Sequence, residues 1–169
     1  MKKLFIFLIT FVVAIDSSAQ ESNKSLKIDS LQYQLDKLQH DYDFLDCSFQ
    51  LYQHISDLEI FNSNIKININ EIANKYLQNR YNIELYRLDM NYYEQLVESL
   101  RLKEVSANFT IAFVLQKIES STFSKIEIDK LKNTIDKVKL PLSTAKESLN
   151  SYKEVLDIYK NWIEKIQSQ

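Results

Sequence analysis

The sequence predicts an all-α fold, an elongated antiparallel up-down-up three-helix coiled-coil bundle. Three observations predict it. The chain of 169 residues contains no glycine and one proline, Pro141, where average usage near 7% would give about a dozen glycines. Apolar residues recur at alternating spacings of three and four in three long blocks, which keeps one stripe on one side of a helix. Between the blocks lie short polar clusters fit for turns. The missing glycine also excludes chemistry. A phosphate-cradling loop, a dinucleotide fingerprint, a calcium loop and a nucleophile elbow all need glycine where backbone turns tightly or approaches a ligand.

The first residues form a separate object. Lys2 and Lys3 precede an apolar run from Leu4 to Ile15, and Ser17-Ser18-Ala19 places small residues at a cleavage site. This pattern predicts a secretory signal peptide over residues 1–19, cut after Ala19, with a single helical domain over 20–169. The apolar run is shorter than the roughly 20 residues that span a bilayer. The expected protein is therefore exported, periplasmic or secreted, with no transmembrane segment after cleavage.

The first helix is expected at about 25–61. Its heptad a positions are Ile28, Leu35, Tyr42 and Phe49, and its d positions Leu31, Leu38, Leu45 and Tyr52. These eight are expected to form the buried seam. A second stripe, Phe44, Cys47, Leu51, Ile55 and Leu58, runs beside it. Asn62-Ser63-Asn64 is expected to be the first turn.

The second helix is expected at about 64–120, with a stripe from Ile65, Ile69, Ile72 and Tyr76 through Ile83, Tyr86, Met90, Tyr93, Val97 and Leu100 to Ile118. Asn79 and Glu104 are polar members of that stripe. A polar residue in a seam sets register at a cost in stability, so both are candidate register-setting positions. Ser120-Ser121-Thr122 marks the next turn. Ser124 followed by Glu127 is a capping box, in which hydroxyl and carboxylate satisfy orphan amides at a helix start.

The third helix is expected at about 124–167, on a stripe from Ile128 and Leu131 to Ile163 and Ile166. Pro141 lies inside it. A break there, or near Ser106 to Asn108, would give four helices. Short turns between long helices make neighbours antiparallel.

Net charge is −2, so no global field draws the chain to nucleic acid. Its charges are patterned nonetheless. Lys125, Lys132, Lys139, Lys146, Lys153 and Lys160 share one heptad position of the third helix, while Asp29, Asp36, Asp43 and Asp57 share one of the first. The two stripes are expected to flank the buried seam and set pairing. The lysines are also a candidate interaction ridge for an anionic polymer, a membrane surface or a protein partner.

His40, Cys47 and His54 recur every seven residues. Residues seven apart on one helix stand about 10.5 Å apart, too far to share a zinc ion bound at about 2.0–2.3 Å. No metal and no cofactor are expected. Cys47 is the one cysteine. It reads either as a small buried hydrophobe or as an intermolecular disulfide. Tyrosines at seam positions are expected to pack in the core, the alternative being a stacking groove. No catalytic constellation is present. The expected function is a non-enzymatic interaction, scaffold or chaperone-like module of the cell envelope, with a protein partner or self-association. The alternative is a ligand-binding module using the tyrosine groove or the lysine ridge.

Overall fold

A run of apolar residues at two adjoining heptad phases, Phe44, Leu51, Leu58, Ile65 and Ile72 together with Ile55, Ile69 and Tyr76, crosses the Asn62-Ser63-Asn64 cluster without a change of phase. In the computed structural model, which describes residues 21–78 and 80–168, the helix crosses it too. The element order is α1 (Glu21–Leu77), α2 (Ile83–Ser120) and α3 (Lys125–Gln167). The signal-peptide reading and Asn79 fall outside the described residues.

The expected first turn at 62–64 is thus corrected: it falls between Leu77 and Ile83. Ser63 and Asn64 face solvent, whereas Asn62 is buried. Its Nδ2 donates to the carbonyl of Pro141 at 3.0 Å. A side chain that could have capped a new helix instead ties α1 to α3, and the apolar face around it keeps the helix going. The real turn has its own signals. The Gln78 and Arg80 amides donate to the Asn74 and Lys75 carbonyls. Asn82 is the N-cap of α2, its side chain accepting from the Glu84 and Leu85 amides at 3.0 Å each, which satisfies two donors that a helix start leaves orphaned.

The second turn lies where the polar cluster places it. Ser124 caps α3, with the Glu127 amide donating to Ser124 Oγ and the Ser124 amide donating to Glu127 Oε2 at 2.8 Å. Phe123 is buried in this turn, edge-on to Phe44 of α1 at 6.1 Å. α2 runs unbroken through Ser106 to Asn108, and α3 runs unbroken through Pro141. The four-helix alternative does not occur among the described residues.

The described chain divides into two units, one ending at Tyr42 and the other Asp43–Gln169. Residues 21–42 are helical. Within Asp43–Gln169 the pairings define the topology. Asp43 and His54 of α1 meet Lys117 and Thr110 of α2, numbers running oppositely, so the two are antiparallel. Phe44, Asn62 and Tyr76 of α1 meet Phe123, Pro141 and Tyr159, numbers rising together, so α1 and α3 are parallel. Three helices packed up-down-up enclose one core.

That core takes Cys47, Leu51, Leu58, Ile65 and Ile72 from α1, Leu100, Ala107 and Val114 from α2, and Leu131, Val138, Tyr152 and Leu156 from α3. The stripes expected for α2 and α3 are largely buried or half-buried; Val97 and Ile166 are exposed. The seam expected for α1 is not buried. Ile28, Leu31, Leu38, Tyr42, Leu45, Phe49 and Tyr52 are exposed, and Leu35 is only partly covered. The stripe read as secondary is the one that faces α2 and α3.

Candidate functional site: the outward face of the first helix

α1 carries two apolar faces, and their geometry follows from 100° per residue. With Ile28 as heptad position a, the core residues Phe44, Leu51, Leu58, Ile65 and Ile72 all stand at c, and Cys47, His54 and Phe61 at f. Positions a and d lie on the opposite side of the cylinder. Burying one face therefore turns the other outward. Residues 28–42 are exposed at nearly every position, with Leu35 and His40 partly covered. Within Asp43–Gln169, α1 presents Leu45, Phe49 and Tyr52, with Ile60 and Ile67 further along. Scattered exposed apolar residues need no explanation. Three at heptad spacing within Asp43–Gln169, Leu45, Phe49 and Tyr52, do, because that spacing is what a second helix packs into.

The lysine ridge is exposed at Lys125, Lys132, Lys139, Lys146 and Lys160 and half-covered at Lys153. Much of its charge is met locally. Lys139 pairs with Asp136 at 2.8 Å, Lys153 with Asp157, and Lys160 with Glu164 at 3.8 Å. The acid that Lys146 reaches is Glu104 of α2, at 2.7 Å. Asp43 of the expected acidic stripe takes Lys117 of α2, at 3.1 Å. The long-range pairs shown here therefore join α2 to α3 and α1 to α2. Glu104 is half-buried at the edge of the seam, and its carboxylate links α2 to α3.

Cys47 lies in the core, and burial, reinforced by Asp46 and Asp43, pushes its thiol above the ordinary value. This environment fits the small-hydrophobe reading; a disulfide to another chain would require the core to open. His54 Nε2 sits 2.9 Å from Thr110 Oγ1, and burial lowers its pKa. It lines a groove of about 350 Å³ between α1 and α2, with Asp57, Leu58, Ser99, Leu102, Lys103 and Ser106. Among the described residues no three His, Cys, Asp or Glu side chains are grouped to hold a metal ion, and no helix is long and apolar enough to cross a membrane.

The tyrosines pack on one another. Tyr76 stacks on Tyr159 at 4.4 Å and meets Trp162 edge-on at 4.9 Å, and Tyr93 stacks on Tyr152 at 5.8 Å. Tyr81, from the first turn, tilts against Tyr159 at 5.3 Å. Tyr42 and Tyr52, expected in the core, are outside it. Near this cluster Tyr152 Oη is buried without a hydrogen bond, and Tyr81 Oη and the Asp89 carboxylate are buried beside one another. Sequence reasoning passed over Asp89, which shows no periodic signal.

Burial raises the pKa of Asp89. Lys75 and the Tyr81 hydroxyl pull it down, and Glu71 pushes it up. A carboxyl whose pKa is raised by folding favours the fold while protonated. Its contribution is complete below the ordinary carboxylate pKa and is lost as pH rises through the folded value. Asp89→Asn is therefore expected to be more stable than the parent at pH 7, with the two converging near pH 3. Urea unfolding at a series of pH values measures this. A gap that widens on acidification would contradict it.

Comparison with known proteins gave no match: no protein family, no curated protein and no solved structure resembles the chain at a significant level.

Proposed function

We propose that this chain is a non-enzymatic, exported interaction module that presents the outward face of α1 to another helix, in a scaffold or chaperone-like role in the cell envelope. The observation that carries the reading is the set of exposed apolar residues at heptad spacing on α1 within Asp43–Gln169, Leu45, Phe49 and Tyr52, on the side away from the buried Cys47, Leu51 and Leu58. A helix that is apolar on both sides has need of a partner on each. α2 and α3 supply one.

The assignment to the envelope rests on the basic, apolar and small-residue succession of residues 1–19. The non-enzymatic part rests on the surroundings of the reactive side chains: the Cys47 thiol is buried, and His54 holds Thr110.

The test is a photo-crosslinking amino acid placed at Phe49, with a control at Lys132, in cells that produce the protein. Crosslinking to a protein from position 49 and not from position 132 is the expected result. No protein crosslink from position 49 would sink the reading. Mass spectrometry of the chain recovered from the envelope should show an N-terminus at Gln20.

A further inference from the structure

We infer that the groove between α1 and α2 is a binding site for a small zwitterion with an apolar side group, the chemistry of a free aliphatic amino acid or of a dipeptide. The site is separate from the outward α1 face and lies wholly within Asp43–Gln169.

Two helical stripes line it. α1 gives His54, Asp57 and Leu58, and α2 gives Ser99, Leu102, Lys103 and Ser106. Spacings of three and four put each set on one face of its helix. The gap between the faces has a steric cause. α2 places serines at 99 and 106, one turn to either side of Lys103, and a serine side chain is too short to fill the space towards the facing helix. Beyond Ser106, Thr110 continues the stripe and bridges to α1, its Oγ1 2.9 Å from His54 Nε2.

The charges at the gap are left open. Along α2, Arg101 pairs with Glu98 at 2.7 Å, and Glu104 takes Lys146 at 2.7 Å. Lys103 stands between these pairs, half-buried, and among the described residues neither it nor Asp57 forms an ion pair. A partly desolvated ammonium gains from a counter-charge. His54 feels both groups. Burial lowers its pKa, Lys103 lowers it further, and Asp57 opposes them. The ring is therefore neutral at pH 7, and the lining sums to one positive and one negative charge.

That balance selects the ligand. A simple anion would satisfy Lys103 and meet Asp57, and a simple cation would do the reverse, each at a cost in affinity. A molecule with both charges satisfies both. Leu58 on the α1 wall and Leu102 on the α2 wall suit its apolar side group. The groove holds about 350 Å³, near the lower end of the roughly 300–1,000 Å³ of small-molecule sites. It fits an amino acid or a dipeptide and excludes a dinucleotide.

Titration of the full chain with L-leucine and with alanyl-leucine, followed by nitrogen–proton NMR, is expected to shift the amides of Asp57, Leu58, Leu102 and Lys103. The better probe should bind with a Kd of about 0.1–1 mM. Tighter leucine binding identifies a free amino acid as the ligand, and tighter alanyl-leucine binding a dipeptide. Acetylation of the better probe removes its ammonium, and amidation removes its carboxylate; each should weaken binding roughly tenfold. Asp57→Asn should abolish the difference made by acetylation, and Lys103→Gln the difference made by amidation. Ser106→Leu, which fills the groove, should remove binding while circular dichroism keeps its helical signal. Lys132→Gln, on α3, should leave binding unchanged.

No shift from either probe well above that concentration range overturns the inference. So do shifts that lie outside the groove, or binding indifferent to both Asp57→Asn and Lys103→Gln. An acetylated probe that binds as well as its parent, with loss on Lys103→Gln alone, would make the groove an anion site and overturn the zwitterion assignment.

Discussion

Tyr152→Ala is expected to lower the unfolding free energy by about 3–5 kcal/mol, the usual cost of emptying a buried aromatic site. Tyr152 is fully buried and its ring lies parallel to that of Tyr93, 5.8 Å away. Truncation removes the dispersion contacts of the ring and leaves a void in a three-helix core with little scope to collapse. Tyr152→Phe is expected to have the opposite sign or none. The Tyr152 hydroxyl is buried without a hydrogen bond, and removing an unsatisfied polar atom while keeping the ring relieves a desolvation penalty of about 1–3 kcal/mol. The phenylalanine variant should also blunt alkaline unfolding. Burial first, then Asp89, holds the Tyr152 phenol above its ordinary value. A raised pKa contributes stability that is complete below about pH 10 and is lost as the pH climbs beyond it. Urea titrations at neutral and alkaline pH test all three statements. A phenylalanine variant as damaged as the alanine one would mean that the hydroxyl has a partner after all.

Leu51→Ala is expected to cost about 2–5 kcal/mol, whereas Leu45→Ala should shift the stability of the single chain by no more than about 0.5 kcal/mol. The residues are six apart on one helix and identical in type, so the difference isolates the direction each faces. Leu51 is wholly buried and Leu45 is exposed. Unfolding measured at high dilution, where any assembly has dissociated, reads the single-chain value. Equal losses at the two positions would show that the seam, not the c/f face, packs on α2 and α3.

Much of this fold is legible without coordinates. The absence of glycine and the three/four spacing fix long helices, because nothing in the chain favours tight turns and the apolar period is helical throughout. The Ser124–Glu127 box marks the start of α3 because its hydrogen bonds are local. The α3 stripe keeps its phase through Pro141, and the helix does too.

The first turn was harder to read. Tyr76 and Ile83 lie seven residues apart, so a heptad count passes over the reversal at Leu77–Ile83 with its phase intact. Asn82, followed by Glu84, was the available signal. At 62–64 the local polar cluster points one way and the continuing c-position stripe the other, and burial of that stripe, with Asn62 turned inward onto the Pro141 carbonyl, outweighs the polar Ser63 and Asn64 on the helix surface.

What the sequence determined by itself is that α1 has two apolar heptad faces; what only the tertiary structure decided is which one turns inward. Propensity cannot separate them, since both are helical and both are regular. The a and d positions turn polar beyond Tyr52, at Ser56, Glu59, Ser63, Lys66 and Asn70, while the c positions stay apolar to Ile72. Only the longer face can follow α2 and α3 along their lengths, so packing against them buries it and leaves the shorter, more perfect seam facing out.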